Sequence, residues 1–318
     1  MEFFRNDRYR QFLMDGEAVD IGSEAKTRRR VLVFYNPTAG QWRRRRLRMT
    51  LAALKGLGCI ITLRETAFRG DAEAAAAKLT LADTDIVVAA GGDGTINEVA
   101  NGLTRSPGPV PPLAVIPLGT ANVLANEIGL YGNPRAVERA IARGRSMTAH
   151  LGKANGRCFV MMAGIGFDAH IVANVDVALK RRAGAIAYVV ETLAQGLRYG
   201  FPSCLVEVDG ENFNSCSVVV CNGRHYGGPF VAAPNASLKD PAFEVCLLHK
   251  GGWAHVLRYG IALILGRLSA LPDVEIRTGR TIRIAGPVGL PVQADGDIIA
   301  VLPVDITVAD STLQIVVP

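Results

Sequence analysis

Three glycines around a single aspartate form the strongest chemical signal in the sequence. Gly91, Gly92, Asp93, Gly94 and Thr95 follow an apolar segment with the composition of a buried strand, and a helical pattern begins after them. Glycines at such a junction let the backbone approach a bulky anion, which the positive N-terminal end of the helix attracts. Asp93 would repel a bare phosphate, so its presence suits a loop that also faces Mg²⁺ or a hydroxyl group. The loop predicts a phosphate site, although a tight turn with Asp93 as N-cap would have the same composition.

The elements that must position this loop alternate regularly through the first half of the chain. Apolar and β-branched segments predict strands at residues 31–35, 59–64, 85–90 and 113–116. Helical patterns follow them at residues 42–57, 71–81, 96–103 and 121–128. Strands that alternate with helices form right-handed βαβ units, which build a parallel sheet. The first half is therefore predicted to be an α/β domain.

Four loops of this domain should meet at one edge of the sheet. The loops near Asn36, Thr66, Gly91 and Gly119 each follow a predicted strand. The carboxyl ends of parallel strands share one edge, where α/β proteins bind their ligands, so we expect these loops to line a single cleft. The sequence has neither a GxxxxGK[ST] motif nor a strand-linked GxGxxG motif, so the phosphate loop is of another type.

After about Met147 the pattern changes to short strands separated by glycine, asparagine and aspartate. Strands are predicted at residues 159–163, 205–208, 217–221, 244–248, 281–284 and 298–302, and helices at residues 170–196 and 253–268. Short strands at this spacing are typical of an antiparallel sandwich or barrel-like domain. The chain thus divides into two parts of different architecture, as its length of 318 residues suggests.

The composition excludes several classes of protein. With 49% apolar and 20% charged residues, the chain is neither disordered nor collagen-like. Its longest apolar segment, residues 253–271, is interrupted by His255, Arg258 and Arg267, so we expect no membrane-spanning helix. The N-terminus lacks the apolar region of a secretory signal, which favours a cytoplasmic protein. Six scattered cysteines without a CxxC pair, and histidines without HExxH, argue against a structural metal built from them.

Positive charge is concentrated near the N-terminus. Eleven basic residues and no acidic residue lie between Lys26 and Arg64, whereas the whole chain carries a net charge of only +6. Such a region indicates nucleotide phosphates, an anionic membrane surface or nucleic acid as partner. The four arginines at positions 43–46, together with Arg48, lie on the predicted first helix. They form either a solvated face or a contact with anionic lipid headgroups.

Short motifs rich in glycine, asparagine and aspartate are distributed over the whole chain. The first half contains Asn36-Pro37-Thr38-Ala39-Gly40, Gly91 to Val99, and Pro117-Leu118-Gly119-Thr120-Ala121-Asn122. The second half contains Gly164-Ile165-Gly166-Phe167-Asp168, Tyr226-Gly227-Gly228, Pro234-Asn235-Ala236 and Asp295-Gly296-Asp297. In this order and spacing they resemble the diacylglycerol kinase catalytic-domain family, which includes bacterial soluble lipid kinases and the sphingosine and ceramide kinases. The resemblance covers nearly everything from Val31 to the C-terminus.

This resemblance implies a nucleotide-binding, NAD-kinase-like α/β domain at residues 28–147 and a β-rich antiparallel lipid-binding sandwich at residues 148–302. Residues 1–27 would form an extension, residues 303–318 would return to the first domain, and the active site would lie between the two domains. ATP and Mg²⁺ are the implied cofactors, and Asp93 would help to place Mg²⁺-ATP. The implied nucleotide contacts are Asn36, Pro37, Thr38, Gly40, Thr66, Gly91, Gly92, Asp93, Gly94, Thr95, Asn97, Gly119, Thr120 and Asn122. Asn97 and its neighbour Glu98 are equally well explained as residues of an ordinary first helical turn.

Phosphoryl transfer also requires a carboxylate that accepts the proton of the acceptor hydroxyl. The resembled family carries it as the glutamate of a late Asp-Gly-Glu motif. Asp209-Gly210-Glu211 lies between two strand-like segments, where Asp-Gly is typical of a hairpin turn. Asp295-Gly296-Asp297 has the right place in the chain but ends in aspartate, which is one methylene shorter than glutamate. We therefore predict Asp297 as the base and Asp295 as a supporting residue.

Two further segments bear on metals and membranes. Some members of the resembled family bind a structural Mg²⁺ at a Leu-Asp-Asp-Gly segment. The corresponding residues here are Leu238-Lys239-Asp240-Pro241, so Asp240 is the one candidate ligand left and the lysine disfavours a cation. The apolar segment at residues 253–268 could contact a membrane, but packing against the second sheet is the favoured interpretation.

The leading hypothesis is an ATP-dependent lipid kinase that phosphorylates a hydroxyl of diacylglycerol or of a ceramide-like base. It would bind peripherally to an anionic membrane surface, where its lipid substrate resides. The alternatives are a kinase of a soluble acceptor, as in the NAD kinases, and a non-enzymatic regulator that binds nucleotides or nucleic acid. An aromatic content of 6% and the lack of known nucleic-acid-binding motifs argue against nucleic acid. The identity of the lipid and the oligomeric state, a homodimer included, stay open.

Overall fold

The computed structural model of the protein describes residues 28–37, 41–174 and 199–318. The predicted extension at residues 1–27, the predicted contacts Thr38 and Gly40, and residues 175–198 of the second predicted helical segment lie outside this range. Among the described residues, no helix is long and apolar enough to cross a membrane.

The first half of the chain forms a parallel sheet flanked by helices, as predicted. Its strands are β1 (Arg30–Tyr35), β2 (Ile60–Glu65), β3 (Ile86–Gly91) and β4 (Leu113–Pro117), and they lie in the order β2-β1-β3-β4. The helices are α1 (Gln41–Gly56), α2 (Asp71–Ala76), α3 (Asp93–Leu103), α4 (Val123–Glu127) and α5 (Pro134–Arg143). Every residue of β3 and β4 is buried, as expected for strands covered on both faces.

Several boundaries in this half differ from the predicted ones. Helix α3 begins at Asp93 rather than at residue 96, because Gly92 takes the extended conformation of an N-cap. Helix α2 ends at Ala76 rather than at residue 81. Beyond it, the Asp83 carboxylate accepts hydrogen bonds from the backbone and hydroxyl of Thr80, which forms a local turn. Helix α5 was not predicted, although Asn133 caps it and Pro134 occupies its first turn.

The second half consists mainly of antiparallel strands. They are β5 (Arg145–Ala154), β6 (Arg157–Phe159), β7 (Met162–Ile165), β8 (Cys204–Val208), β9 (Glu211–Ser215), β10 (Ser217–Cys221), β11 (His225–Tyr226), β12 (Phe230–Val231), β13 (Phe243–Leu248), β14 (Val274–Gly279), β15 (Thr281–Ala285), β16 (Pro291–Ala294), β17 (Asp297–Val301) and β18 (Val304–Val317). Among the described residues of this half, helices α6 (Phe167–Asn174) and α7 (Trp253–Ile264) accompany them, together with a 3₁₀ turn at Leu268–Ala270.

Strand β18 joins the two halves into one continuous sheet. Ile306 of β18 pairs with Ile282 of β15, and Ile315 near its other end pairs in parallel with Leu113 of β4. The resulting sheet contains ten strands, of which eight follow the order β2-β1-β3-β4-β18-β15-β8-β9. The two halves therefore share backbone hydrogen bonds, and loops at their junction are held at fixed positions.

A second sheet completes the sandwich. It contains six antiparallel strands in the order β14-β13-β10-β7-β16-β17. Apolar side chains of both sheets interdigitate, and the rings of Phe159 and Phe243 lie 5.8 Å apart between them. The predicted strand at residues 159–163 is interrupted between β6 and β7, because the N–H groups of Val160 and Met161 donate to the carboxylate of Asp295 rather than to a neighbouring strand.

Close packing inside the sandwich predicts a sharp response to one added methyl group. In the pairing of β5 with β6, Gly152 lies opposite Phe159, and a Cβ atom on Gly152 would come within 2.0 Å of the Phe159 ring. We expect Gly152→Ala to lower the free energy of unfolding by about 1–3 kcal/mol, because the buried ring has no space to move. Denaturant unfolding followed by circular dichroism measures this change. Gly56→Ala is the matched control, since no atom lies within 4 Å of the added methyl group; equal losses in both variants would contradict the prediction.

Candidate active site

The glycine loop after β3 packs directly against the loop after β4. Leu118 N–H donates to the Gly91 carbonyl over 2.9 Å, and a Cβ atom on Gly119 would lie only 2.5 Å from Gly92 Cα. A Cβ atom on Gly91 would lie 2.3 Å from Thr95 Oγ1. Gly92 and Gly119 therefore allow the two loops to touch, and Gly91 leaves room for the Thr95 side chain. That these glycines also let an anion approach stays a prediction.

Asp93 joins the same two loops through its side chain. Its carboxylate accepts hydrogen bonds from the backbone N–H groups of Asn122 at 2.9 Å and Val123 at 2.7 Å. Burial raises the pKa of Asp93, and these hydrogen bonds oppose the rise. Asp93 is the first residue of α3, so its interpretation as an N-cap is wrong.

Asn122 and Asn97 are buried and form hydrogen bonds with other parts of the protein. Asn122 is buried, and its side chain accepts from Gly119 N–H at 2.7 Å and donates to the Gly119 carbonyl at 2.9 Å. Asn97 is buried, and its amide donates to Asp295 and to the carbonyl of Cys158. Asn122 therefore braces the loop after β4 and Asn97 binds Asp295, while their contact with a nucleotide stays a prediction; Asn97 is no helix cap.

Asp295 anchors the turn between β16 and β17. It has a left-handed backbone with φ 48°, and its carboxylate accepts from Val160 N–H at 2.7 Å, Met161 N–H at 2.9 Å, Met162 N–H at 3.1 Å and Asn97 Nδ2 at 2.8 Å. Burial raises the pKa of Asp295, while these four hydrogen bonds favour the charged form. Because all its lone pairs are used in the interior, Asp295 anchors this turn and supports Asp297 from within the protein.

Asp297 leaves this turn toward the first half of the chain. Its Oδ2 atom lies 3.6 Å from the position that a Cβ atom on Gly94 would occupy, so the carboxylate faces the first turn of α3. Its Oδ1 atom forms an ion pair with Arg69 Nη2 at 3.0 Å, and one third of the side chain is exposed. The structure thus brings together Asp297 and the glycine loop, although they are about 200 residues apart in sequence.

Helix α3 holds both members of this ion pair through consecutive residues. Asn97 binds Asp295, which lies two residues before Asp297 in the sequence. The next residue, Glu98, accepts a hydrogen bond from Gly70 N–H at 2.9 Å, and Gly70 directly follows Arg69. Sequence reasoning did not find Arg69, and it assigned Glu98 only a supporting place in the helix. A basic residue beside a glycine carries no signal until the fold shows which carboxylate it meets.

The other predicted contacts lie on the loops after β1, β2 and β4. Thr66 N–H donates to the Tyr35 carbonyl at 2.8 Å, which fixes the start of the loop after β2. Arg43 Nη2 donates to Thr120 Oγ1 at 3.4 Å, and Arg44 Nη2 donates to the Pro37 carbonyl at 3.0 Å. Asn36 and Pro37 are half-buried at the end of β1. Arg43 and Arg44 of the basic helix therefore reach toward the cleft loops, and Arg44, like Arg45 and Arg48, is exposed.

A polar cluster supports the turn of Asp297 from the sandwich side. Gln293 accepts from Gly296 N–H at 2.9 Å and donates to Asp168 Oδ2 at 2.6 Å, and Tyr226 O–H donates to the other oxygen of Asp168. Burial raises the pKa of Asp168, against the effect of both donors. Asp168 stood in one of the sequence motifs without an assigned role. The cluster gives it one, since it fixes Gln293 and through it the turn.

The two remaining carboxylate motifs lie elsewhere. Asp209-Gly210 forms the hairpin turn between β8 and β9, and Asp209 accepts from the backbone of Arg280 and Thr281, so its assignment as a hairpin turn is confirmed. Asp240 is exposed, and the described residues contain no group of three histidine, cysteine, aspartate or glutamate side chains that could hold a metal ion. The carboxylates at this edge of the sheet suit an ion that is coordinated mainly by phosphate oxygens and by only one or two protein carboxylates, as Mg²⁺ commonly is.

Comparison with known proteins identifies the family. Residues 30–154 match the diacylglycerol kinase catalytic domain, and residues 161–317 match the YegS C-terminal NAD kinase beta sandwich-like domain. The chain belongs to the diacylglycerol kinase catalytic-domain family. The family and the fold class predicted from the motifs are therefore confirmed.

The alignments with individual relatives extend over almost the whole length of both chains. The chain is 28% identical to a diacylglycerol kinase of Bacillus subtilis over 295 residues, covering 91% of this chain and 97% of the relative. It is 26% identical to a diacylglycerol kinase of Staphylococcus aureus over 294 residues, covering 92% and 93%. A crystal structure of a diacylglycerol kinase from Bacillus anthracis aligns with a TM-score of 0.71 and 24% identity, covering 93% of this chain and 99% of that chain.

The role of Asp295 predicts a loss of stability in Asp295→Asn. The new amide would direct N–H groups at backbone N–H donors, and each buried donor left without an acceptor costs about 1–3 kcal/mol. We expect a clear decrease in the denaturant midpoint of unfolding. Asp240→Asn, which replaces an exposed carboxylate, serves as control and should leave the midpoint unchanged. A midpoint for Asp295→Asn equal to that of the control would remove Asp295 from its anchoring role.

Proposed function

We propose that the protein is an ATP-dependent lipid kinase that transfers the γ-phosphoryl group to a hydroxyl of diacylglycerol or a ceramide-like lipid. The observation that carries the proposal is the position of Asp297 against Gly94. A carboxylate of the sandwich there meets the positive end of a helix in the α/β domain, with a cation, Arg69, beside it. The relatives that are named diacylglycerol kinase support the same reaction class.

The N-terminus of α3 is the proposed site of the nucleotide phosphates. Helix N-termini attract anions through their free N–H groups and their dipole. Gly94 and Thr95 lie in this first turn and are half-buried, and Arg43 reaches the neighbouring loop at Thr120. Asn36, Pro37 and Thr66 line the same edge of the sheet and complete the proposed contacts. Asp93 supports the site by fixing the loop after β4.

Asp297 is the proposed general base. In the reaction the acceptor hydroxyl gives its proton to Asp297, its oxygen forms a bond to the γ-phosphorus, and the bond to the β-γ bridging oxygen breaks, which releases ADP. A hydroxyl between Asp297 Oδ2 and a phosphate at α3 would have both reacting partners within reach. The anchored turn of Asp295 and Gln293 keeps Asp297 in this position.

Mg²⁺ would be held by the nucleotide phosphates together with Asp93, and it would supply neutralisation of charge on the transferred group. Both oxygens of Asp93 already accept one backbone N–H each, which orients the carboxylate.

The resembled family carries glutamate where this chain has Asp297. The shorter aspartate side chain suits this position, because the turn that carries Asp297 lies directly against Gly94.

The reaction is tested by incubating the purified protein with labelled ATP, Mg²⁺ and micelles of diacylglycerol, monoacylglycerol, ceramide, sphingosine or phosphatidylglycerol. We expect phosphorylation of at least one of these lipids. Asp297→Asn should lower kcat by about 10²–10⁴-fold, the usual contribution of a general base. Because the Asp297 side chain is partly exposed, the denaturant midpoint of the Asp297→Asn variant should equal that of the unsubstituted protein, whereas that of Asp295→Asn should be lower. Phosphorylation of a soluble acceptor but of no lipid would favour the NAD-kinase-like alternative, and full activity of Asp297→Asn would remove the base.

Arg69 is proposed to position Asp297, since the ion pair fixes Oδ1 and leaves Oδ2 directed toward α3. We expect Arg69→Ala to lower kcat about tenfold, because small misplacements of a reacting group are costly. The KM for ATP should change less than twofold, and Arg69→Lys should recover most of the rate. Stability should hardly change, because exposed ion pairs contribute about 0–1 kcal/mol. A raised KM for ATP with an unchanged kcat would instead assign Arg69 to nucleotide binding.

A further inference from the structure

Helix α7 carries an apolar stripe that faces solvent. Its members are Trp253, Leu257, Ile261, Ile264 and Leu265, and each is between 43% and 66% exposed. They recur at intervals of three to four residues, so they lie on one side of the helix. Sequence reasoning favoured packing of this segment against the second sheet, but only the opposite side of the helix, with Tyr259 and Ala262, is buried. That interpretation is therefore wrong for the stripe.

The stripe is framed by basic residues. Lys250 and Arg267 are exposed at its two ends, and Arg258 lies beside the groove that Leu257, Ile261 and Leu265 form with the following segment. No acidic residue occurs between positions 245 and 272. The next one, Asp273, is bound by Arg258 and by the Tyr259 hydroxyl at 2.6 Å. The surface thus combines exposed apolar side chains, an aromatic ring and positive charge.

We propose that this stripe is the surface through which the protein binds an anionic lipid bilayer. Apolar side chains with flanking lysine and arginine are the composition of helices that lie in the membrane interface. Tryptophan prefers the same depth, and basic residues add attraction to anionic headgroups. Helix α7 has 12 residues, which at 1.5 Å per residue reach only part of the way across a bilayer, so it lies along the surface.

Packing connects this surface to the Asp297 turn. Val256 of α7 packs against Phe167 and Ile171 of α6, and Asp168 follows Phe167 directly. Asp168 binds Gln293, which holds Gly296 beside Asp297. A bilayer on α7 would therefore lie next to the elements that support the proposed base. This link to turnover depends on the proposed lipid kinase activity, whereas the binding surface depends only on α7.

Tryptophan fluorescence gives a direct test, because the chain contains only Trp42 and Trp253. In Trp42→Phe, Trp253 is the sole tryptophan. We expect its emission to shift to the blue with vesicles of phosphatidylcholine and phosphatidylglycerol, and to be quenched when the acyl chains are brominated. Binding should weaken as salt rises or when phosphatidylglycerol is left out, since charge contributes to it.

Substitutions separate the stripe from other apolar surface. In the same Trp42→Phe background, Ile264→Gln combined with Leu265→Gln should weaken vesicle binding at least tenfold. Ile60→Gln, which replaces an isoleucine of similar exposure on β2, should bind normally. Activity on a short-chain diacylglycerol dissolved as monomers should be unchanged in both, while activity on vesicles should fall only in the first. If the protein phosphorylates no lipid at all, the proposed function fails, yet the fluorescence result still decides the binding surface.

Three outcomes would overturn the proposal. Vesicle binding without any change in Trp253 emission would place the membrane contact elsewhere. A twofold larger mass in sedimentation, reduced to the monomer by the double substitution, would make the stripe an interface between two copies of the chain. Trp253 that acrylamide cannot quench in vesicle-free protein would mean that the chain itself covers the stripe.

Discussion

The carboxylate of Asp295 is the interaction on which the arrangement of the site depends. It accepts four hydrogen bonds inside the protein, two from the backbone between β6 and β7, one from the first residue of β7 and one from Asn97 of α3. A buried charge is costly unless donors surround it, and here donors from two separate segments do so. The anchor fixes the turn of β16 and β17 against α3. Asp297 is therefore held at the first turn of α3, although the two belong to different halves of the fold.

Helix α3 organises the site from its first residue to its sixth. Asp93 holds the loop after β4, Asn97 holds Asp295, and Glu98 holds the backbone beside Arg69. Each uses its side chain for a protein contact, and the first turn of the helix presents its positive end to an anion. The division suits phosphoryl transfer, in which the protein contributes mainly alignment and electrostatic stabilisation.

The reaction and the membrane proposal share one physical requirement. A lipid acceptor resides in a bilayer while the nucleotide is dissolved in water, so the site must open toward both. The cleft loops of the α/β domain lie on one side of Asp297, and the packed chain of Gln293, Asp168, Phe167 and Val256 leads from its other side to the exposed stripe of α7. Arg43 and Arg44 of α1 bring positive charge to the cleft loops. Positive charge beside α7 comes from Lys250 and Arg267 at the two ends of the stripe.

Local patterns in the sequence were sufficient for the strands of the α/β domain, the hairpin turn at Asp209 and the family, because apolar periodicity, turn residues and short motifs are properties of neighbouring residues. They could not find Arg69 or show that Asn97 is buried, since the carboxylates that these two residues bind, Asp297 and Asp295, lie near the other end of the sequence. They also could not show that Asn122 is buried, because burial depends on how the whole fold packs. They predicted no strand for β18, whose residues pair with three different strands, although the resemblance implied that this segment returns to the first domain. The sequence by itself determined which groups were available for phosphate chemistry. The tertiary structure decided which carboxylate stays exposed at the end of α3, because burial and hydrogen bonding to distant segments are set only when the two sheets pack together.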